Sequence, residues 1–316
     1  MTTRFWPAIV LLASTSLVHA SNKPLPAPLA PALPVEVYIE QSELGYTVPG
    51  AERTNEPYIG AVPDLIVSAI NSHRRQRGEA EIAPMKNQLV EYNFEDKLVQ
   101  ALRAKLASND VSPHPTIAVF NAWRDRVDPK DAAQVSPLVL VIRTSYMMDY
   151  FYYRIRVSFS VMLAEREVSS SGTIDWKQPT YRHELWMDFP LVKVKGSDKL
   201  ARWNAMGRDR LVRMLDDAIA HGTDMLVYDF SPEARKLWEQ PMDTQTFELK
   251  GFKVTGALYR QSPDFVCIRN HGGSQCIEPV SETDPLPPGS ATPSATPAIP
   301  DAGAASASTT TDAQSH

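Results

Sequence analysis

The stretch that most constrains the fold is FYYRIRVSFSVML, which runs from Phe151 to Leu163. Its odd-numbered positions are all apolar or aromatic, whereas its even-numbered positions are mostly polar or charged. Alternation of this kind over a long run is typical of a β-strand with one buried face and one solvent-facing side. The pattern therefore places Phe151 and Tyr153 on the buried face of a strand and Tyr152 on its solvent-facing side.

Similar patterns predict the other elements of the chain. Strands are expected at 35–39, 116–120, 138–142 and 181–189, and helices at 61–77, 93–106, 197–221 and 231–238. Asn93 is a good cap for its helix, and Gly222 is expected to end the longest helix. The short link between 138–142 and the strand that begins at Phe151 favours antiparallel pairing of these two strands. We therefore predict an α+β fold, a mainly antiparallel sheet with helices packed on one face.

The first residues have the form of a targeting signal. Arg4 supplies a positive charge, and the apolar stretch from Ala8 to Val18 is followed by Ala20, a small residue suited to a cleavage site. This stretch is shorter than the roughly 20 residues that a membrane span requires. We therefore expect cleavage near Ala20, no transmembrane span, and a periplasmic or secreted protein.

The setting is also indicated by the order of the predicted elements. That order is similar to the layout of small α/β modules in bacterial envelope proteins, such as the amino-terminal domain of the translocation protein TolB and the curli secretion lipoprotein family. The resemblance implies a protein of the bacterial envelope. The net charge of −5 argues against a nucleic-acid partner, because such binding needs a concentrated basic face.

The predicted organisation has five parts. They are a signal peptide at 1–20, a leader rich in Pro and Ala at 21–34, an α+β core domain at 35–246, a disulfide-closed β-meander at 247–280, and a disordered tail at 281–316. The tail consists largely of Pro, Ala, Ser and Thr, which cannot build a core. The alternating residues of the meander resemble the strands of small SH3-like barrels.

The two cysteines, Cys267 and Cys276, lie in the segment VCIRNHGGSQCIEP. If His271 and Gly272 form the centre of a turn, the cysteines are directly opposed on a hairpin, at a separation that a disulfide accepts. An even pair in an exported chain favours a structural disulfide. A redox-active pair is the weaker alternative, because the spacing is not Cys-x-x-Cys.

Sequence signatures of catalysis are weak. The chain contains no Gly-x-Ser-x-Gly elbow, no Walker loop and no Gly-x-Gly-x-x-Gly. The candidate catalytic residues are His183, Glu184, His221 and Asp224. His183 and Glu184 begin like a zinc-protease helix, but position 187 is Met and the segment alternates like a strand, so neither a metal nor a cofactor is expected. His183 is instead expected in or beside the core with its nitrogens satisfied.

A second weak signal is His271-Gly272-Gly273-Ser274, which resembles the oxyanion-hole loop of lipases. A tight hairpin turn explains the two glycines more simply, because only Gly adopts a positive φ freely. The symmetric placement of the cysteines around this segment supports the turn.

The most suggestive segment for binding is TSYMMDYFYY at 144–153, which concentrates large side chains around a hairpin turn. The candidate binding residues are Tyr146, Met147, Met148, Tyr150, Phe151 and Tyr152. Tyr and Met are favoured at protein interfaces. The alternative is that the turn is tucked under the long helix or the proline-rich leader.

Three functions are compatible with the sequence. The first is a non-enzymatic module of the bacterial envelope that presents a sheet edge or the 144–153 hairpin to a protein partner. The second is an exported hydrolase whose site is assembled from dispersed His, Glu and Asp residues. The third is a scaffold that acts through its tails.

Overall fold

The structure is a computed structural model that describes residues 29, 31–48, 64–108, 111–192, 199–239, 241–270 and 273–280. The predicted signal peptide, most of the predicted leader, the 271–272 turn centre and the 281–316 tail lie outside these residues. In the part of the chain that is described, no helix is both long and apolar enough to cross a membrane.

The described residues form eleven strands and six α-helices, which confirms the α+β class. The strands are β1 (Pro34–Ile39), β2 (Gly45–Tyr46), β3 (Thr116–Phe120), β4 (Leu138–Met148), β5 (Arg154–Val168), β6 (Ile174–Trp176), β7 (Tyr181–Pro190), β8 (Gln245–Leu249), β9 (Phe252–Gln261), β10 (Val266–Asn270) and β11 (Gly273–Ile277). The helices are α1 (Asp64–Glu81), α2 (Ala83–Gln88), α3 (Phe94–Ser108), α4 (Lys199–Asn204), α5 (Arg208–Asp229) and α6 (Pro232–Glu239).

The strands belong to one sheet with the order β3-β1-β4-β5-β7-β11-β10-β9-β8, in which β2 lies beside β4 and β6 beside β5. The predicted antiparallel pairing of β4 with β5 is confirmed. The sheet is nevertheless mixed, because β1 runs parallel to both β3 and β4, and β11 runs parallel to β7. Through that last pairing the C-terminal strands extend the main sheet and do not close into a barrel of their own.

The helices cover one face of the sheet. The main core joins strand residues such as Val157 and Leu185 to helix residues such as Leu98, Trp203 and Leu215. Two smaller apolar clusters lie apart from it, one made by the C-terminal strands and one around Tyr38, Val139 and Val141. The helix-covered face is therefore the face that the odd-numbered residues of β5 were predicted to form.

The predicted buried face of β5 is confirmed for its central part, where Ile155, Val157, Phe159, Val161 and Leu163 are all buried. The prediction is wrong for the first two odd positions. Phe151 is 62% exposed and Tyr153 is 51% exposed, because the strand begins only at Arg154. Tyr152 has a φ of 56°, which interrupts the extended backbone and ends the alternation.

The long helix predicted at 197–221 is divided into α4 and α5, with Gly207 at a φ of 82° before α5 begins. Gly222 does not end the helix, which continues to Asp229. A Cβ atom at position 222 would lie 2.5 Å from Cε2 of Phe159. Gly222 therefore allows α5 to approach β5 closely, and this packing requirement decides its role.

Helix α3 matches its prediction, since the amide of Asp96 donates to Oδ1 of the cap residue Asn93 at 3.0 Å. The short helix α2 was not predicted. His73 of α1 is exposed.

The predicted disulfide between Cys267 and Cys276 is confirmed. The two residues are directly opposed in the pairing of β10 with β11, and their Cα atoms are 4.0 Å apart. The pair is buried against α5, where Sδ of Met225 lies 3.6 Å from Sγ of Cys276. The crosslink therefore faces the core at the junction of the C-terminal strands with α5.

Replacing Gly222 with Val tests the close approach of α5 to β5. We expect the free energy of unfolding to fall by about 2 kcal/mol, since overpacking a filled core typically costs ~1–3 kcal/mol. Urea denaturation measures the change. The control is Ala220→Val on the exposed side of the same helix, which should cost well under ~1 kcal/mol. Equal losses in the two variants would contradict the packing described for Gly222.

Candidate functional site

The hairpin that joins β4 to β5 is organised by Asp149. Oδ1 of Asp149 accepts hydrogen bonds from the amides of Tyr153 at 2.6 Å and Arg154 at 3.4 Å. The amide of Asp149 donates to the carbonyl of Arg154 at 3.0 Å, and the amide of Tyr152 donates to the carbonyl of Asp149 at 3.0 Å. Burial raises the pKa of the Asp149 carboxyl against the opposing effect of these donors. The turn is therefore closed on both sides of its tip.

Three of the predicted binding residues belong to the body of the sheet. Tyr146 and Met148 are buried, and the ring of Tyr146 stacks on Phe94 with centroids 4.6 Å apart. Met147 is partly buried and lies opposite Gly45 of β2. Tyr146 and Met148 are therefore core residues and not part of an exposed binding surface.

Tyr150 and Tyr152 hold the turn in place. Tyr46 donates its hydroxyl to the carbonyl of Tyr150 at 3.0 Å, and Trp203 donates Nε1 to the carbonyl of Tyr152 at 2.9 Å. The hydroxyl of Tyr152 donates to Glu81 of α1. Burial and the bond to Glu81 both raise the pKa of Tyr152, so the hydroxyl stays protonated. Contacts from β2 and α4 therefore hold the backbone of the turn, and a contact from α1 holds the side chain of Tyr152.

The tip of the hairpin exposes Phe151 and Tyr153. Of the large apolar or aromatic side chains described, only Val90 and Leu258 are comparably exposed. The ring of Phe151 meets the edge of Tyr150 with centroids 5.0 Å apart. Sequence reasoning placed both exposed residues on the buried face and did not include Tyr153 among the binding candidates. Asp149 is the residue in the sequence that indicates their exposure, because a turn at an Asp before Arg154 moves the start of the strand to Arg154.

A groove of about 550 Å³ lies beside the tip. Its walls come from α1, the hairpin, β2 and the start of α4, with Tyr46, His73, Arg74, Arg77, Gly78, Glu81, Tyr150, Phe151, Tyr152 and Lys199 as lining residues. Arg77 pairs with Glu81, with 2.8 Å between Nε and Oε1. The remaining cations, Arg74 and Lys199, give the groove a net positive charge. Its volume lies within the range of small-ligand and side-chain pockets.

A second recess, of about 650 Å³, lies where β1 and β3 end. Its charged groups are largely compensated, since Glu40 pairs with Arg143 at 2.9 Å and Glu91 pairs with Arg208 at 3.4 Å. The groove beside the hairpin is the recess that combines exposed aromatic rings with uncompensated charge.

The four catalytic candidates are not brought together in one site. Glu184 lies on the opposite side of β7 from its neighbour His183 and accepts a hydrogen bond from Ser160 at 2.6 Å. Burial alone would raise the pKa of Asp224, but Lys105 and Arg260 hold it below its ordinary value. Among the described residues, no three His, Cys, Asp or Glu side chains are placed to hold a metal ion.

His183 does form a cluster, with residues outside that set. Its Nδ1 faces Oδ2 of Asp229 at the end of α5, and its Nε2 lies 3.4 Å from Oγ of Ser274 in β11. Tyr181 donates its hydroxyl to the same Asp229 oxygen at 2.5 Å. Ser274 is only 5% exposed, and the ring of Trp238 meets His183 edge-on at 5.0 Å. The prediction of a core His183 with satisfied nitrogens is confirmed.

His221 and Glu278 form a separate, largely buried pair, with 3.9 Å between Nε2 and Oε2. Burial lowers the pKa of His221 to about 4, and the charge of Arg260 acts in the same direction. Burial raises the pKa of Glu278 to about 7, and Asp217 and Asp264 add to the shift. Both side chains are therefore neutral across the mildly acidic range, which does not suit an ion pair.

Glu278→Gln tests this pair through the pH dependence of stability. The folded-state pKa of Glu278 lies above the ordinary value of 4.5, so its contribution to stability is present below pH 4.5 and is lost as the pH rises through about 7. Glutamine mimics the protonated carboxyl. We expect a gain on the order of 1–3 kcal/mol at pH 8 and none at pH 4, measured by urea denaturation.

The control for Glu278→Gln is Glu248→Gln, which changes an exposed carboxylate that lies 3.6 Å from Lys253. It should leave the pH profile of stability unchanged, since exposed pairs contribute little. A pH-independent effect of Glu278→Gln would show that its carboxyl is not desolvated.

Comparison with known proteins assigns no function. The chain matches no known protein-family profile, and no curated protein or solved structure is significantly similar to it. Function is therefore inferred from the contacts of the hairpin, the groove and the His183 cluster.

Proposed function

We propose that this protein is an exported protein of the bacterial envelope that binds a protein partner through the tip of the 144–153 hairpin and catalyses no reaction. The observation that carries the proposal is the exposure of Phe151 and Tyr153 on a turn whose backbone is fixed. Arg4 and the apolar stretch from Ala8 to Val18 support export.

The rings of Phe151 and Tyr153 are large, and the backbone that carries them is already ordered. A buried aromatic side chain removes about 150–250 Å² of surface from water. Aromatic residues are enriched among the few interface positions that carry most of the binding energy. The bonds to Asp149, Tyr150 and Tyr152 order the turn before a partner arrives, so little backbone entropy remains to be lost. The hairpin tip therefore has the properties of a preformed interface anchor.

The second candidate is an exported hydrolase, which one observation favours. Ser274, His183 and Asp229 follow the order of a nucleophile, a base and an orienting carboxylate. Ser274 is only 5% exposed, and the ring of Trp238 packs against His183 beside it. A substrate carbonyl has no room beside such a hydroxyl. A structural role explains the His183 cluster more simply: its hydrogen bonds satisfy the buried carboxylate of Asp229 and join α5, β7 and β11.

A fluorophosphonate probe separates these two functions. We expect no labelling of Ser274 in the folded protein, because its hydroxyl is enclosed. Mass spectrometry of the intact, treated protein measures the adduct. Labelling that Ser274→Ala abolishes, while Ser170→Ala in the exposed turn between β5 and β6 retains it, would replace the binding proposal with a hydrolase.

The binding proposal is tested with a double variant, Phe151→Ser and Tyr153→Ser. Photo-crosslinking in the native envelope should capture one specific partner with the wild type and at least about tenfold less with the variant, since anchor residues are worth ~2 kcal/mol or more. Both side chains are more than half exposed, so circular dichroism should not change, and the melting temperature should fall only slightly through the lost contact of Tyr153 with Lys199.

The matched control is Leu258→Ser, which removes an exposed apolar side chain from β9. It should leave capture intact. Equal capture by the wild type and the double variant would refute the hairpin as the binding site. Tyr150 and Tyr152 are not suitable positions for this test, because both side chains pack against the core and their replacement would also affect stability.

A further inference from the structure

Lys199 is a nearly buried cation that makes no direct ion pair with a described carboxylate. It begins α4, lines the groove beside the hairpin, and is only 8% exposed. Its Nζ atom lies 3.1 Å from the ring centroid of Tyr153, and no carboxylate among the described residues lies within 4.0 Å of it. A cation–π contact returns about 0.5–2 kcal/mol, less than the desolvation of a buried ammonium costs. The charge of Lys199 lowers the pKa of the Asp149 carboxyl, but the ammonium makes no direct ion pair with a described carboxylate.

The α1 wall of the groove adds a second uncompensated cation. Arg77 and the hydroxyl of Tyr152 both bond to Glu81, and these two bonds lower the pKa of that carboxyl. The charge of Glu81 is thus already satisfied. Arg74 makes no ion pair or hydrogen bond with any described residue, although it lines the same groove. Two cations, Arg74 and Lys199, therefore face one recess together.

We infer that the groove binds a carboxylate of the partner protein, either an acidic side chain or a chain terminus, with an adjacent apolar side chain packed on Phe151. This inference rests on the proposed function and names the chemistry of the segment that the hairpin recognises. A carboxylate accepts two parallel hydrogen bonds from a guanidinium such as Arg74, and its charge compensates the ammonium of Lys199.

The shape of the groove favours a protein segment over an anionic membrane. A membrane surface can meet exposed groups such as Phe151 and Arg74, but it cannot reach a side chain that is 8% exposed. A single extended side chain can enter a recess of about 550 Å³. The overall charge of −5 also disfavours general adsorption to an anionic surface.

The test is selection of a phage-displayed random peptide library on the full chain. The wild type should enrich peptides that carry Asp, Glu or a free carboxyl terminus beside a large apolar residue. A synthetic peptide of the enriched sequence is then titrated by fluorescence polarisation. Lys199→Gln and Arg74→Glu should each weaken binding about tenfold or more, since truncating a charged pair is costly. High salt should weaken the wild type as well.

Arg75→Glu is the matched control, because Arg75 is exposed on the same helix but does not line the groove. It should change the affinity less than about twofold, consistent with a surface charge. Lys199→Gln should change the melting temperature little, because the lost contact with Tyr153 is offset by removal of a nearly buried charge that makes no direct ion pair. A lower melting temperature with unchanged affinity would identify Lys199 as structural and overturn the inference.

The outcomes separate this inference from the proposed function. If the enriched peptides contain no acidic groups but Phe151→Ser abolishes their binding, the inference of a bound carboxylate is overturned. The hairpin then remains a binding site. Absence of any enriched peptide would count against both. Binding of phosphatidylglycerol vesicles that Lys199→Gln weakens would assign the groove to a lipid headgroup and overturn the protein carboxylate.

Discussion

The rest of the structure depends on β5 being paired along its length with β4 on one side and β7 on the other. One face of these three strands is apolar, and α5 packs on it so closely that only glycine fits at position 222, against Phe159. This contact sets the distance between the helix layer and the sheet. The β4–β5 turn lies at the end of this pairing, where α1 and α4 contact Tyr152.

Polar networks hold the C-terminal strands to this central unit. Asp188, which is buried, accepts hydrogen bonds from Arg154, Arg156 and Gln275, and so links β5, β7 and β11. On the helix side of the sheet, Asp229 joins the end of α5 to β7 through Tyr181 and His183. A buried carboxylate is tolerated when donors surround it, and each network supplies them. The triad-like arrangement of Ser274, His183 and Asp229 is therefore explained by the need to satisfy a buried carboxylate.

The binding hypothesis follows from how order and exposure are distributed in the hairpin. The contacts of Tyr150 and Tyr152 hold the turn in place, so the rings of Phe151 and Tyr153 are exposed on an ordered backbone. The recess next to them contains the nearly buried ammonium of Lys199, which makes no direct ion pair with a described carboxylate. Aromatic area supplies affinity and a paired charge supplies specificity, and the two are combined at one end of the sheet.

The sequence by itself determined the class of fold, the buried faces of β5 and β7, the cap at Asn93 and the opposed cysteines, because each depends on neighbours a few residues away. Asp149 signals a turn in the sequence, but tertiary structure decided that Phe151 and Tyr153 are exposed, since the turn is held by contacts of Tyr152 with Glu81 and Trp203, which are distant in sequence. The cluster of His183 was equally hidden from local patterns, because Asp229 and Ser274 are 46 and 91 residues away from it. Local periodicity encodes which side of an element is buried, but contacts between such distant residues exist only once the sheet has formed.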